Sequence, residues 1–364
     1  MTNSFLPTNR RPDGARSRIA GAGFITMDVL LDGKDRLAYS GIGGSTGNVL
    51  SILAFLGWES VPLVKLGRDR VGAAIHREFT ALGADVTHMR LDRTLTSPLL
   101  YQFAGEPTQA PRYSFGCPVC GRARTFNENL VDSGGAAFDR YAAESNVFFF
   151  DRVTSGTVRM AAAARAGGSL VFFEPSAVSP NRDLFMAALK SAHVVKYSAD
   201  RIPEPFTDVL SWGFIEIQTQ GARGLRFRKH SLAPDWVELP ALRSSCVADT
   251  SGAGDWCTAG FLHALLAGHE GAEMQDASYN EVYHSLRLGQ SIAALSVGHI
   301  GARGLMRAWR PDDTLSRAVQ LLEGTGAAGD PMLPARDYVA LDTVCCEAVT
   351  SYVRPRPTRF PLPF

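Results

Sequence analysis

Short apolar runs bounded by polar turns set the strongest constraint on how this chain folds. NVFFFD (146–151), SLVFFE (169–174) and HVVKY (193–197) are too short for helices and too evenly apolar for a sheet with one wet face. VRMAAAARA lies between the first two, and the stretch from Leu184 to Ala192, also helical in pattern, precedes the third. That alternation predicts parallel strands with helices packed on both faces. The rhythm begins upstream, with a strand over Arg18–Met27, a helix over Thr46–Leu56, a strand over Val61–Leu66 and a helix over Val71–Leu82. It continues with Phe214–Thr219, a QGARG turn and Leu225–Lys229, then helices over Asp255–Ala267 and about Tyr283–Val297. Phe148, Phe149 and Phe150 read as buried strand, because a contiguous run needs both faces covered.

Two stretches break the alternation, Asp28–Gly41 and Leu91–Asn127, and both read as excursions forming a small β lid. The expected architecture is an α/β three-layer sandwich with a mostly parallel central sheet and that lid. Residues 1–17 are expected to be a disordered lead. Residues 18–310 form one α/β domain, with the lid excursions at about 28–42 and 91–127, and residues 311–364 are a C-terminal extension. The end, RPRPTRFPLPF, is too rich in proline for a helix.

Composition narrows the function. Of 364 residues, 45% are hydrophobic and 20% charged, with a formal net charge of +1. A large core is available, and nothing points to coating nucleic acid or an anionic membrane. There is no apolar run of about 18 residues to span a bilayer, and the polar start lacks a signal-peptide core. A cytoplasmic location follows as an expectation, in which Cys117, Cys120, Cys246, Cys257, Cys345 and Cys346 are free thiols or metal ligands.

The segment Asp249 to Asp255, DTSGAGD, carries the clearest chemistry. Gly252, Ala253 and Gly254 make a tight turn whose amides point one way, and the helix behind adds its positive dipole end. Such a cradle suits an oxyanion, with Asp255 in the first helical turn able to take a proton from an attacking hydroxyl. A glycine-rich helix start with Asp as a cap is the plainer reading. Upstream, GIGGSTGN (41–48) allows close approach of a ligand to Gly43 and Gly44, with Asn48 offering an amide and Asp28 accepting from a polyol. Alone, these also read as a turn and a cap.

Taken together, GIGGSTGNVLSILAFLGWESVPLVKLGRDRVGAAIHREFTALGADV and, some 200 residues later, DTSGAGDWCTAGF resemble the PfkB (ribokinase-like) family of carbohydrate and nucleoside kinases. The resemblance runs from about Arg18 to Arg303 and includes the order and spacing of the motifs. It implies a ribokinase-like fold and an ATP-dependent kinase, with Asp255 as general base and Gly252, Ala253 and Gly254 as the anion hole. It further implies sugar contacts from Asp28, Gly43, Gly44 and Asn48, and a turn along ATP from Thr219, Gly221 and Gly224. Ser291–Gly301 resembles the family's segment near the adenine. Asp249 and Ser251 match positions that hold a monovalent cation such as K+, and Mg2+ accompanies ATP.

The chain departs from the family pattern where N-x-x-E is usual and Ser198, Ala199, Asp200 and Arg201 stand instead. Asp200, Glu174 or Asp151 could compensate, or all three are solvated loop acids. The C-P-x-C-G run at Cys117–Gly121 has the form of half a zinc (Zn2+) site, to be completed by His88 or by the same pair in a second chain of a homodimer joined through the lid. Two free thiols in a turn are the alternative. The expected reaction is phosphotransfer from ATP to a primary hydroxyl of a small sugar. A nucleoside acceptor, or a catalytically weak ligand-sensing or scaffold homologue, are the other readings.

Overall fold

The computed structural model describes residues 15–31, 37–103, 112–204, 206, 214–229, 233–244, 246–266 and 276–325. Most of the expected lead, the proline-rich end, Cys345 and Cys346 lie outside them.

The chain opens with β1 (Arg18–Ala22), β2 (Thr26–Leu31) and β3 (Leu37–Gly43), then α1 (Ser45–Phe55), β4 (Glu59–Pro62), β5 (Lys65–Gly67) and α2 (Arg70–Ala81). The lid region adds β6 (Arg90–Asp92), β7 (Leu99–Phe103) and β8 (Arg112–Ser114). Next come α3 (Asn129–Asp132), α4 (Gly135–Ala143), β9 (Val147–Phe150), α5 (Ser155–Ala166), β10 (Leu170–Phe173), α6 (Arg182–Ser191) and β11 (Val194–Ser198). The hairpin strands β12 (Ile215–Thr219) and β13 (Gly224–Lys229) follow, with β14 (Ala233–Pro240), α7 (Ala253–Leu266), α8 (Tyr279–Ser296), α9 (Gly304–Ala308) and α10 (Pro311–Leu322).

Eight strands form the central sheet in the order β14-β13-β12-β11-β10-β9-β1-β4. From β4 to β12 every pairing is parallel, and β13 and β14 add antiparallel strands at one edge. This is the mostly parallel three-layer α/β fold that the alternation predicts. The phenylalanine run shows why it must be layered. Phe149 and Phe172 face the core shared with α1, α2, α7 and α8, while Phe148, Phe150 and Phe173 face the core shared with α4, α5 and α6. A strand with a period of two cannot hide three adjacent phenylalanines unless both sides are roofed.

The excursions form a separate four-stranded sheet, β3-β2-β7-β8. Met27, Val29, Leu31, Leu99 and Tyr101 of this lid join the main core, which anchors it over the sheet. The single strand expected over Arg18–Met27 is in fact two strands in different sheets. Asp151, at the end of β9, accepts the Phe24 amide at 2.7 Å, so the ladder with β1 stops and the chain turns into the lid. Val61–Leu66 also divides, with Pro62 closing β4 and β5 pairing instead with β6. α10 carries order beyond Trp309 and buries Leu315 and Ala318 in the main core. Among the described residues no helix is long and apolar enough to cross a membrane.

α7, which begins at the expected anion cradle, is held by close packing on α8. A Cβ on Gly289 would lie 2.4 Å from the Cys257 carbonyl, and one on Gly260 would lie 2.9 Å from Gly289 Cα. Substituting Gly289→Val forces these backbones apart. The expected cost is at the upper end of overpacking, about 3 kcal/mol, read as a lower urea midpoint. An unchanged midpoint would show that the helices slide apart freely.

Candidate active site

The predicted chemistry-bearing residues gather at the carboxyl ends of the parallel strands. β1 sits between β4 and β9, where the strand order reverses, and open α/β sheets bind ligands at such a crevice. Gly23 and Phe24 leave β1 there, Asp151 leaves β9 and Glu174 leaves β10.

At the start of α7, Trp256 N donates to Gly252 O in the first helical bond, at 2.9 Å. Ala253 N turns back to Thr250 O at 3.3 Å. Among the described residues the amides of Gly252, Gly254 and Asp255 have no hydrogen-bond partner, which is the usual state of a helix N-terminus open to an anion. Gly252 has φ 75°, and a Cβ there would meet the Ala302 backbone at 2.7 Å, so glycine is required on both counts. Of the three amides expected to make the hole, Ala253's is thus the one committed elsewhere.

Asp255 is buried beside this cradle. Its Oδ2 accepts from Asn48 Nδ2 at 2.7 Å, joining residues 207 apart in the chain. Burial, then the charge of Glu174, push its pKa up to about 8, against the opposing effects of the Asn48 bond and Lys196. A carboxylate tuned to that range is a matched proton acceptor near neutral pH. Among the described residues, Asn48 Oδ1 and Asp28 Oδ1 are buried without hydrogen-bond partners. Buried acceptors left open in this way point to a donor-bearing ligand.

Lys196 was not anticipated. It lies on β11, pairs with Glu174, and its ammonium stands 3.6 Å from where a Cβ on Gly254 would be. Glu174 accepts on its other oxygen from Thr258 Oγ1 at 2.7 Å. Burial, the largest single influence, disfavours the ammonium, but the charge and hydrogen bond of Glu174 together with Cys257 and Asp255 outweigh it and raise the Lys196 pKa. The lysine therefore stays charged beside the amide cradle. The signal in the sequence was a lone cation inside HVVKY, an apolar strand where a buried charge needs a partner.

The upstream glycines serve side chains rather than a bare turn. A Cβ on Gly43 would lie 1.9 Å from the Asp28 carboxyl carbon, and one on Gly41 would lie 2.5 Å from Arg303 Nη2. Asp28 is pushed up to about 7, by burial above all, with Arg303 opposing and Glu78 reinforcing. Arg303 pairs with Glu78 and donates through Nε to Ile42 O at 2.9 Å, while Glu78 accepts the Ile42 amide at 2.8 Å. Gly301, Ala302 and Arg303 thus brace both halves of the site. Gly301 N donates to Asp249 at 2.9 Å, Ala302 backs Gly252 and accepts from Trp256 Nε1, and Arg303 holds β3.

Asp249 and Ser251 are together as expected, with Ser251 N donating to Asp249 Oδ1 at 2.9 Å. The lid reaches them. Gln102 Nε2 donates to Ser251 Oγ and the Tyr113 hydroxyl bonds the same oxygen, each at 2.9 Å. Thr219, Gly221 and Gly224 form the turn between β12 and β13, and Ala199 N donates to Thr219 O at the same end of the sheet. His299 packs edge-on to Trp309.

The three acids named as substitutes for N-x-x-E differ. Asp151 accepts from Phe24 N, Thr46 Oγ1 and Arg152, and Glu174 is committed to Lys196 and Thr258. Asp200 is exposed at the end of β11. One such carboxylate fits an Mg2+ that rides mainly on nucleotide phosphates and water. Among the described residues no three His, Cys, Asp or Glu side chains form a metal cluster, and His88 lies against the Tyr141 ring, so no third ligand joins Cys117 and Cys120.

Residues 215–309 match the sequence model of the pfkB family carbohydrate kinases. No curated protein matches the chain. Among solved structures, the fructokinase with bound ATP from Xylella fastidiosa superposes with a TM-score of 0.63 at 19% identity, covering 84% of this chain and 98% of the other. The ribokinase from Giardia lamblia gives 0.64 at 15% identity, covering 82% and 98%. The aminoimidazole riboside kinase from Salmonella enterica, complexed with aminoimidazole riboside and an ATP analog, gives 0.61 at 20%, covering 82% and 99%. The resemblance to the PfkB family is shown by the matched segment, and the fold of the described residues is ribokinase-like.

Proposed function

We propose that this ribokinase-like chain, with its pfkB-family segment at residues 215–309, is a kinase that moves the γ-phosphoryl of ATP to a primary hydroxyl of a small sugar. The observation that carries the proposal is the buried Asp255 carboxylate, bonded to Asn48 and set at the lip of a helix start with open amides. Asp255 takes the hydroxyl proton as that oxygen bonds to phosphorus and the bond to the ADP oxygen breaks. The amides of Gly252, Gly254 and Asp255 face the charge on the phosphoryl oxygens, and the Lys196 ammonium adds to their field. Asp28 and Asn48 present their open oxygens to acceptor hydroxyls. Thr219, Gly221 and Gly224 line the nucleotide side, and Asp249, bonded to Ser251 N and Gly301 N, ties the segment before the cradle to Gly301. Mg2+, when bound with ATP, neutralises phosphate charge, with Asp200 as the protein carboxylate at hand.

The lid favours a sugar over a nucleobase. Tyr101 is fully buried in the core, the Phe103 ring is covered by the Arg112 guanidinium at 4.3 Å, and Tyr113 is tied to Ser251. Of these three lid aromatics, Tyr101 and Phe103 have their rings covered and Tyr113 is held at its hydroxyl.

The test is acceptor-dependent ADP formation across pentoses, hexoses, their phosphates and nucleosides, with the product identified by mass. Sugars should give turnover with a mass gain of one phosphoryl group. If tight ligand binding came with no ADP from any acceptor, the chain would be a sensor and the proposal would fail.

A further inference from the structure

Arg152 has no part in the phosphotransfer described above, yet it stands at the crevice. It follows β9, and its guanidinium touches residues that follow the two flanking strands. One is Phe24 after β1, with the guanidinium carbon 4.6 Å from the ring centroid, and the other is Ser176 after β10. Every hydrogen bond Arg152's guanidinium makes to the described residues runs through Nη1, to Asp151 O at 3.0 Å, Asp151 Oδ2 at 3.2 Å and Ser176 Oγ at 2.9 Å. Nε and Nη2 donate to nothing among those residues, and the side chain is 26% exposed, so that edge of the guanidinium meets water. Pairing with Asp151 does not call for such a group, since one N–H of a lysine would serve. What arginine adds is a rigid edge of two parallel N–H donors, the shape that matches a carboxylate or a phosphate.

The edge is also held in place on the acceptor side. Phe24 supports the guanidinium and is itself packed edge-on by Phe115 and Phe126, with centroids 5.9 and 6.2 Å away. A Cβ on Gly44 would lie 2.8 Å from Phe24 Cδ1, so the arginine and the glycine loop share one ring. Asp151 accepts from Thr46 Oγ1 at 2.8 Å, which ties the arginine's partner to α1 two residues before Asn48. Across the sheet the order runs from the β12–β13 turn, past Lys196 on β11 and Glu174 after β10, to Arg152 after β9. Arg152 thus lies beyond Lys196 from the turn assigned to the nucleotide, where the distal end of an acceptor belongs.

We propose that the Nε–Nη2 edge of Arg152 binds a carboxylate on the acceptor, which makes the acceptor a sugar acid; this rests on the phosphotransfer reading above. The phosphorylated hydroxyl and the carboxylate must sit at opposite ends of the molecule. An aldonic acid meets that condition, with its carboxylate at C1 and a primary hydroxyl at the other end. In an aldohexuronic acid that hydroxyl has itself become the carboxylate. One guanidinium with Asp151 beside it balances a single negative charge, so a carboxylate fits better than the nearly double charge of a phosphate ester.

The experiment pairs five- and six-carbon aldonates with the alditols that carry CH2OH in place of the carboxylate, and adds fructose 6-phosphate as the phosphorylated arm. ADP formation and calorimetric affinity are measured for the full chain, Arg152→Gln and Arg152→Lys. At least one acid should exceed its own alditol about 10–100-fold in kcat/KM, the worth of hydrogen bonds to a charged group. In Arg152→Gln that preference should fall toward one, with the loss in KM rather than in kcat. Arg152→Lys keeps a charge without the paired donors and should retain only part of the preference; it carries the test if the glutamine variant does not fold. Three results overturn the inference: no acid preferred to its alditol in either measurement, fructose 6-phosphate preferred to every acid, or a preference undiminished in both variants. The first of these, with neutral sugars still turning over, removes this inference and leaves the kinase reading. Tight binding of an acid that Arg152→Gln weakens, with no ADP from any acceptor, does the reverse.

Discussion

Asp255→Asn is expected to lower kcat by about 10²–10⁴-fold, the usual worth of a positioned general base, while making the protein more stable. The two effects share one cause. Asp255 has a folded-state pKa of about 8 against an ordinary 3.8. Between those values the folded chain keeps a proton that the unfolded chain releases. Its contribution to stability therefore falls as pH rises through that window and is fully lost above about pH 8. Asparagine carries no charge at any pH and still accepts from Asn48. The gain in melting temperature of Asp255→Asn over the parent should then grow from pH 5 to pH 9. Asp28, also raised, affects both proteins alike and cancels in the difference. For the parent, kcat/KM should rise with pH through the neighbourhood of 8 as the base loses its proton. Full turnover by the variant, or inactivity with a lower melting temperature at every pH, would sink the assignment. The second outcome would make Asp255 a packing group rather than a base.

A second large effect is expected at Lys196, and here structure and catalysis must be separated. Lys196→Met leaves the Glu174 carboxylate inside the protein without its cation. Breaking a buried pair from one side typically costs about 3–5 kcal/mol. Lys196→Met with Glu174→Gln removes both charges, and the glutamine can still accept from Thr258. That double variant should recover most of the stability in a urea melt. It should not recover phosphotransfer, and a kcat at least about 10²-fold below the parent is expected, because the positive field beside Gly254 is gone. Recovery of turnover along with stability would reduce Lys196 to a structural ion pair.

These two residues illustrate what could be read in advance. Asp255 was legible because its role is local: a glycine turn, a helix start and a carboxylate in the first turn are all encoded within seven positions. Lys196 acts across the sheet, through a glutamate 22 residues earlier and a helix start 58 residues later, and no spacing rule links such positions. Arg303 is similar. Its guanidinium lies against Gly41 and bonds Ile42 across 261 residues, so the glycines read as a bare turn or a ligand loop are also the gap that admits it.

Periodicity and composition by themselves determined the layered α/β architecture, the two-sided burial of the phenylalanine strands and the lid as a departure from the alternation. Those properties follow from the period of a strand or helix, which is written in neighbouring residues. Only the tertiary structure decided that β1 ends at Ala22 with Asp151 accepting the Phe24 amide just beyond it, and that Asp255 meets Asn48. It also decided the proton affinities of Asp255 and Asp28, which depend on how much water the assembled layers exclude and which charges they enclose.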